Sequence, residues 1–233
     1  MSDTVLAIVS GGVDSVTMAY YLKSLGWNLE ILSFDYGQKH FKELYFAECC
    51  AAQLDARFDI VRLGSLGKLL ENNSLTGDLE VPDGSYSKET IQLTVVPNRN
   101  AIMLAIAYGV AASRGYQTVA IGVHTGDHPI YPDCRPEFLG AFLKMVKHSL
   151  PGPSLRLLAP FVDKTKASIV LQGAKLGVPY EDTWSCYKGG VHHCGVCSTC
   201  VERKEAFILA GVKDPTYYSE PLRKPAKTNK EFR

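Results

Sequence analysis

With 233 residues, 46 % of them apolar, the chain is long enough to bury the core of one large domain. A formal charge of +1 excludes a general basic field for nucleic acid, and no apolar run approaches the length that spans a bilayer. Seven cysteines, an odd number, together with a first strand that follows Met1-Ser2-Asp3 directly and leaves no room for a secretory leader, point to a reducing, cytoplasmic setting and away from a disulfide framework.

Val5–Val9 is apolar and mostly branched, the pattern of a buried parallel strand. Ser10-Gly11-Gly12-Val13-Asp14-Ser15 follows, and then Val16, Ala19, Tyr20 and Leu22–Leu25 recur at helical spacing. The glycines therefore sit on a tight strand-to-helix turn, where unpaired N–H groups and the positive end of the helix dipole favour a phosphate. No lysine follows before Lys23, so this is not a Walker A loop, nor does it read G-x-G-x-x-G. The competing reading is an ordinary glycine turn with Asp14 and Ser15 capping the helix, which uses the same N–H groups.

The first helix is expected to end near Gly26, with a second strand over Leu29–Phe34 and Asp35-Tyr36-Gly37-Gln38 at its carboxyl end, the edge where parallel sheets bind ligands. A helix with Phe41, Leu44, Tyr45, Ala47 and Ala51 on its apolar face comes next; Cys49 and Cys50 read as small hydrophobes on it. Phe58–Leu63 is a third strand. From Gly64 to Thr94 periodicity is lost, as in a lid or binding loop that is mobile without ligand.

Pro97 keeps Val96 extended ahead of a helix over Ala101–Ala112, which Asn98 or Asn100 can cap. Arg99 opposes the dipole at a helix start, so a bound anion explains it better than a bare surface position. Thr118–Val123 is a fourth strand, running into a polar segment, 124–137, where Asp127, Asp133 and Arg135 can fix a polar ring by paired hydrogen bonds. His124 and His128 suit a structural role or substrate contact better than a metal. A helix over Phe138–His148, a turn at Pro151-Gly152-Pro153 and a short fifth strand at Leu155–Leu158 follow. Asp163 can then cap a helix to Leu176, with Lys164 in its first turn either facing a phosphate or standing as a solvated surface lysine.

Cys186-x7-Cys194-x2-Cys197-x2-Cys200 brings four thiolates around one ion. Sulfurs about 2.3 Å from a tetrahedral metal fit a closed structural zinc site, with an iron–sulfur cluster as the rival and His192 or His193 as substitutes for one cysteine. Glu202–Ala210 reads as a helix and Asp214–Arg233 as a polar, peripheral tail.

S-G-G-V-D-S, F-D-Y-G-Q-K-H (34–40), V-P-N-R-N (96–100), Y-P-D-C-R-P-E-F (131–138), D-K-T (163–165) and the cysteine cluster together resemble the QueC family of the PP-loop ATP pyrophosphatases over about residues 4–215. The resemblance implies an α/β fold with a doubly wound parallel sheet of about five strands, with a pyrophosphatase domain over 1–180, a lid at 64–95 and a zinc-binding helical extension over 181–233. It implies that 7-carboxy-7-deazaguanine, ammonia and ATP give 7-cyano-7-deazaguanine, AMP and pyrophosphate through an adenylated carboxylate and an amide. Ser10, Gly11, Gly12, Val13, Asp14, Ser15, Phe34, Tyr36 and Lys164 would hold ATP with Mg2+; Arg99, Asp127, Tyr131, Asp133 and Arg135 would hold the acid; Lys164, Arg99 and Asp14 would act in catalysis; and Cys186, Cys194, Cys197 and Cys200 would hold zinc. A homodimer is compatible with the resemblance, and neither a membrane nor direct nucleic-acid contact is expected. The nearest alternative passes the activated acid to another amine, such as one on a partner protein; a tRNA-thiolating enzyme and a non-catalytic nucleotide-binding module rank below it.

Overall fold

The computed structural model describes residues 4–70, 73–84, 92–127, 131–150 and 155–219. The four expected long-range strands and the short fifth form β1 (Thr4–Ile8), β2 (Asn28–Asp35), β3 (Arg57–Arg62), β4 (Thr118–Ala120) and β5 (Arg156–Leu158). They pair in parallel in the order β3-β2-β1-β4-β5. From β1 the chain winds outward through β2 and β3, then returns to the other side of β1 for β4 and β5. Loops leaving β1 and β4 consequently diverge, and a crevice opens between their carboxyl ends.

Helices α1 (Val13–Ser24), α2 (Glu43–Gln53), α6 (Lys166–Lys175) and α7 (Ser198–Ala210) pack on one face; α4 (Arg99–Ser113) and α5 (Pro136–Ser149) pack on the other, and α3 (Gly64–Leu69) is a short turn after β3. The period of two in β1 divides its side chains between two cores: Val5 and Ala7 join the first, Leu6 and Ile8 the second. Both faces being covered, the strand reads as an unbroken apolar run. Each fully buried branched side chain contributes about 1.5–3 kcal/mol, so the sheet centre is the rigid base of the site.

β4 is shorter than the sequence predicts. After Ala120 only Ile121 still reaches β5, its N–H donating to Leu158 O at 2.9 Å. Gly122 then passes the start of α1, where a Cβ would lie 3.2 Å from the Ser15 Cα. Other differences have local causes. Phe41 and Tyr45 are 68 % and 62 % exposed, because α2 begins only at Glu43 and its buried stripe is Glu43, Ala47, Cys50 and Ala51. Residues 64–94 are not uniformly irregular: α3 opens them, and Asn73 builds a turn by accepting from the N–H groups of Leu75 and Thr76, which seats Leu75 in the second core. Residues 71–72 and 85–91 of that stretch, His128, residues 151–154 and the tail from 220 lie outside the described residues.

Two expected caps are also replaced. Asn98 stands at the N-cap of α4 in a left-handed backbone (φ 55°) with no side-chain cap bond. The Asp133 carboxylate instead accepts from the Asn100 N–H at 2.9 Å. At α6 the cap is Thr165, whose Oγ1 accepts from Ser168 N, and not Asp163.

Candidate active site

The crevice between β1 and β4 is lined by Ser10, Gly12, Val13, Asp14 and Ser15 on one wall. Gly11 lies behind this wall with φ 88°; a Cβ there would fall 2.1 Å from the Glu43 carbonyl oxygen. Glycine at 11 is what lets the start of α2 press against the turn. The Gly11 carbonyl accepts from Trp184 N at 2.8 Å, and Ser15 Oγ accepts from Ser10 N and donates to Gly12 O, both at 3.2 Å. No side chain caps α1, so neither Asp14 nor Ser15 performs that role, and the dipole end of the helix faces the crevice.

A charged cluster forms its floor. Lys166 Nζ, from the first position of α6, lies 3.1 Å from Asp14 Oδ2 and 2.8 Å from Glu202 Oε2 of α7. His124 Nε2 lies 3.7 Å from Asp14 Oδ2 and 3.6 Å from Asp127 Oδ2. Burial pushes the Asp14 carboxyl up, but Lys166 and His124 outweigh it and hold the group below its ordinary value. Burial dominates at Asp127, whose carboxyl is raised despite His124 and Lys166 beside it. Lys166 is held well above the usual ammonium value: burial pulls down, and Asp14, Glu202 and Asp127 prevail. Asp14 Oδ1 and His124 Nε2 are buried without a hydrogen-bond partner.

The opposite wall is aromatic and carries Arg99. Phe34, Tyr36 and Tyr131 line it, and the Arg99 guanidinium lies 5.8 Å from the Tyr131 ring centre. Among the described residues no carboxylate lies within ion-pair distance of Arg99. Its charge is retained, since Tyr36, Tyr187 and Tyr131 outweigh burial. Between Arg99 and the glycine turn stand His40, quoted in the sequence reading only as the end of a motif, and Glu43, which that reading passed over. His40 Nε2 lies 3.6 Å from Glu43 Oε2, and Gln38 Nε2 donates to Glu43 Oε1 at 3.0 Å. Burial pushes the Glu43 carboxyl up to about 8, against Gln38 and Arg99, and pushes His40 down to about 3, with Arg99 adding. The H-x-x-E spacing at a helix start was the available signal.

Not every expected residue reaches the crevice. Ser10, Gly12 to Ser15, Phe34, Tyr36, Arg99, Asp127 and Tyr131 line it together; Gly11, Asp133, Arg135 and Lys164 do not. Lys164 is exposed, because the turn at Thr165 directs the chain so that Lys166 points inward. Asp133 is engaged with the α4 backbone, and Arg135 is exposed at the N-cap of α5. Trp184, Ser185, Tyr187, Thr199 and Glu202 complete the lining from the C-terminal part of the chain.

That part is organised by Cys186, Cys194, Cys197 and Cys200, whose sulfurs all lie within 4.8 Å of one another. In a tetrahedral zinc–thiolate site the sulfur–sulfur edge is about 3.8 Å, so the set fits the ion with little adjustment. Main-chain N–H groups already point at the sulfurs, Cys194 N to Cys186 Sγ at 3.4 Å and Cys197 N to Cys194 Sγ at 3.3 Å, as thiolates require. Hydrogen bonds from Cys197 and Cys200 pull the Cys186 thiol down to about 4. His193 takes no part: its Nε2 accepts from Ser185 N at 3.0 Å, and His192 is exposed. Arg203, fully buried, donates to Tyr180 O and Thr183 Oγ1 and fixes α7 to the segment before the cluster.

An uncapped glycine turn, a buried lysine among carboxylates and an arginine held by tyrosines, facing them across a switch-point crevice, define an α/β enzyme of the phosphate-handling class. The model of a family described as "Queuosine biosynthesis protein QueC" matches residues 4–211, and the chain belongs to that family. A protein of Brucella anthropi named 7-cyano-7-deazaguanine synthase is 55 % identical over 216 residues, 92 % of this chain and 93 % of that protein. One of the same name from Allorhizobium ampelinum is 55 % identical over 218 residues, 93 % of each. Among solved structures an NMN synthetase from Francisella tularensis superposes with TM-score 0.48 and 16 % identity over 91 % of this chain and 78 % of that one, too slight a likeness to carry an argument. No helix among the described residues is long and apolar enough to cross a membrane.

Proposed function

We propose that the chain is an ATP-dependent carbon–nitrogen ligase that converts 7-carboxy-7-deazaguanine and ammonia to 7-cyano-7-deazaguanine, releasing AMP and pyrophosphate. The observation that carries this reading is the facing of two anion-binding walls in one crevice, the glycine turn with Lys166 on one side and Arg99 on the other. A carboxylate is a poor acyl donor until one oxygen becomes a good leaving group, and joining it to the α-phosphate of ATP does this. Both reactants are anions, so the site must first neutralise and align them.

Ser10 and the main chain from Gly12 to Ser15 hold the departing pyrophosphate, with Gly11 shaping the turn. Lys166 takes the role that spacing assigned to Lys164. Phe34 and Tyr36 pack against the nucleotide. Arg99 holds the carboxylate of the acid, and Tyr131 and Asp127 border its ring. The buried, unpartnered Asp14 Oδ1 beside Asp127 and Glu202 fits a magnesium ion, which supplies charge neutralisation to the phosphates. The four cysteines fit zinc and offer it no open position, so its contribution is to hold the wall that bears Trp184, Ser185, Thr199 and Glu202.

Incubation with ATP, ammonia and the acid is expected to give the nitrile with AMP and pyrophosphate. AMP without nitrile in the presence of ammonia would direct the activated acid to another amine, and absence of AMP would overturn the ligase reading. Elemental analysis is expected to find zinc; iron would assign the cysteines to an iron–sulfur cluster.

A further inference from the structure

The proposed product imposes a hydrogen count. Ammonia brings three hydrogens to the reacting carbon, and a nitrile nitrogen carries none. In the first half, the nitrogen lone pair attacks the acyl carbon, the bond from that carbon to the AMP oxygen breaks, and one proton leaves nitrogen. In the second half, the amide oxygen attacks the α-phosphorus of another ATP, pyrophosphate departs, and a second proton leaves nitrogen. Loss of AMP with the third proton closes the carbon–nitrogen triple bond. A base beside the reacting carbon is therefore needed three times in each catalytic cycle.

The ion pair at the floor, Lys166 with Asp14, is badly suited to this. Lys166 is held protonated, and Asp14, held below its ordinary value, is engaged with it at 3.1 Å. Glu43 is placed differently. Its main chain touches Gly11 on the phosphate wall, and its carboxyl, 12 % exposed, opens into the crevice under the influence of Arg99 on the acid wall. On the ligase reading, the α-phosphorus and the carboxyl carbon meet between those walls. One oxygen is fixed by Gln38, which itself is locked by bonds to Phe34 O and Tyr36 N. The other oxygen faces His40, whose Nδ1 is buried without a partner and whose ring lies 5.0 Å from that of Tyr187.

We propose that Glu43 is the general base that removes the protons of the amine nitrogen, with His40 as the residue that positions its reactive oxygen. This rests on the ligase reading above. The groups that face Glu43 are Gln38, His40 and Tyr36 from the loop after β2 and Arg99 from α4; Arg99 is the one fixed charge among them. A carboxyl whose ionisation lies near neutrality can accept a proton in one step and release it to solvent before the next, which a strongly acidic carboxylate cannot do three times over.

The test uses the amide, 7-amido-7-deazaguanine, with ATP, which removes ammonia and its own ionisation from the measurement. Two rates are compared in the full-length protein: single-turnover conversion of amide to nitrile, and pyrophosphate–ATP exchange driven by the carboxylic acid, which involves no nitrogen. Glu43→Gln keeps the volume and a partner for Gln38, and is expected to lower the ratio of the first rate to the second by about 100-fold or more. A ratio within threefold of the original overturns the proposal, whether both rates fall together or neither does. Should the variant fail to fold, the unmodified protein decides: amide conversion rising tenfold per pH unit and levelling near pH 8 supports Glu43, and a flat profile from pH 6 to 9 overturns it. Absence of acid-driven exchange in the unmodified protein marks failure of the ligase reading, a separate outcome.

Discussion

Lys164 and Lys166 differ by two positions in sequence and by their whole environment in the fold. Asp163 and Thr165 are both good capping residues, so composition alone could not say where α6 begins. A cap at Thr165 puts Lys166 at the first helical position, 3.1 Å from Asp14, and leaves Lys164 in solvent. Lys166→Gln is expected to lower acid-dependent pyrophosphate–ATP exchange by about 100- to 1000-fold, the range for removal of a preorganised charge at a reacting phosphate, and Lys164→Ala by less than about twofold. Steady-state exchange rates on the two variants separate them. His40 and Glu43 were given no role for a related reason: their H-x-x-E spacing is visible in the sequence, but their importance comes from burial beside the glycine turn, which spacing alone does not announce.

Those two residues also shape stability against pH. Glu43 has a folded value of about 8 against an ordinary 4.5, so between these the folded state holds a proton the unfolded chain has lost, and stability falls as pH rises. His40 has a folded value of about 3 against 6.5, so between these the unfolded chain holds the extra proton, and stability rises with pH. The two slopes cancel between pH 4.5 and 6.5, and Glu43 alone acts from 6.5 to 8. Urea unfolding of ligand-free protein is expected to show this residue removing about 2 kcal/mol over that last interval, a loss that Glu43→Gln abolishes.

At the scale of elements, the five parallel strands and most helices were legible because covered strands read as apolar runs and helices as 3.6-residue stripes. What periodicity could not give was cooperation between elements: that Asp133 serves the start of α4 across the chain, or that Gly122 ends β4 early by passing α1. The cysteine cluster was legible since its ligands lie within fifteen residues of one another in sequence, so spacing alone defines the set. Its position in the fold was not. Cys200 and Glu202 stand two residues apart on α7, which ties the cysteine cluster to the floor of the crevice. Removing the zinc proposed for this cluster with a chelator, or making Cys200→Ser, is expected to weaken ATP binding by about tenfold or more, because Thr199 and Glu202 lose their anchor. Calorimetric titration with a non-hydrolysable ATP analogue measures it; unchanged affinity would separate the cysteines from the site.

For the whole molecule, the crevice draws on β1, the loop after β2, α2, α4, the end of β4, α6, the segment 184–187 and α7. A ligand bound there ties all these pieces together, and the unfolded chain offers none of the site. An ATP analogue at about 100 times its dissociation constant therefore stabilises the fold by about 2.7 kcal/mol, which for a chain of this size raises the unfolding midpoint by about 5–10 °C. A thermal scan with and without the analogue and magnesium measures the shift. The wide separation of these segments explains why the sequence indicated the chemistry at each strand end but not how the walls face one another.

Because Thr199 and Glu202 come from the last described helix, the site cannot exist on a partly synthesised chain. The glycine turn leaves the ribosome well ahead of α7, and Lys166 acquires its second carboxylate only after nearly two hundred further residues have followed that turn. A nascent polypeptide thus carries the glycine turn through the synthesis of all these residues before the crevice is closed, and the floor is completed in one step when α7 docks.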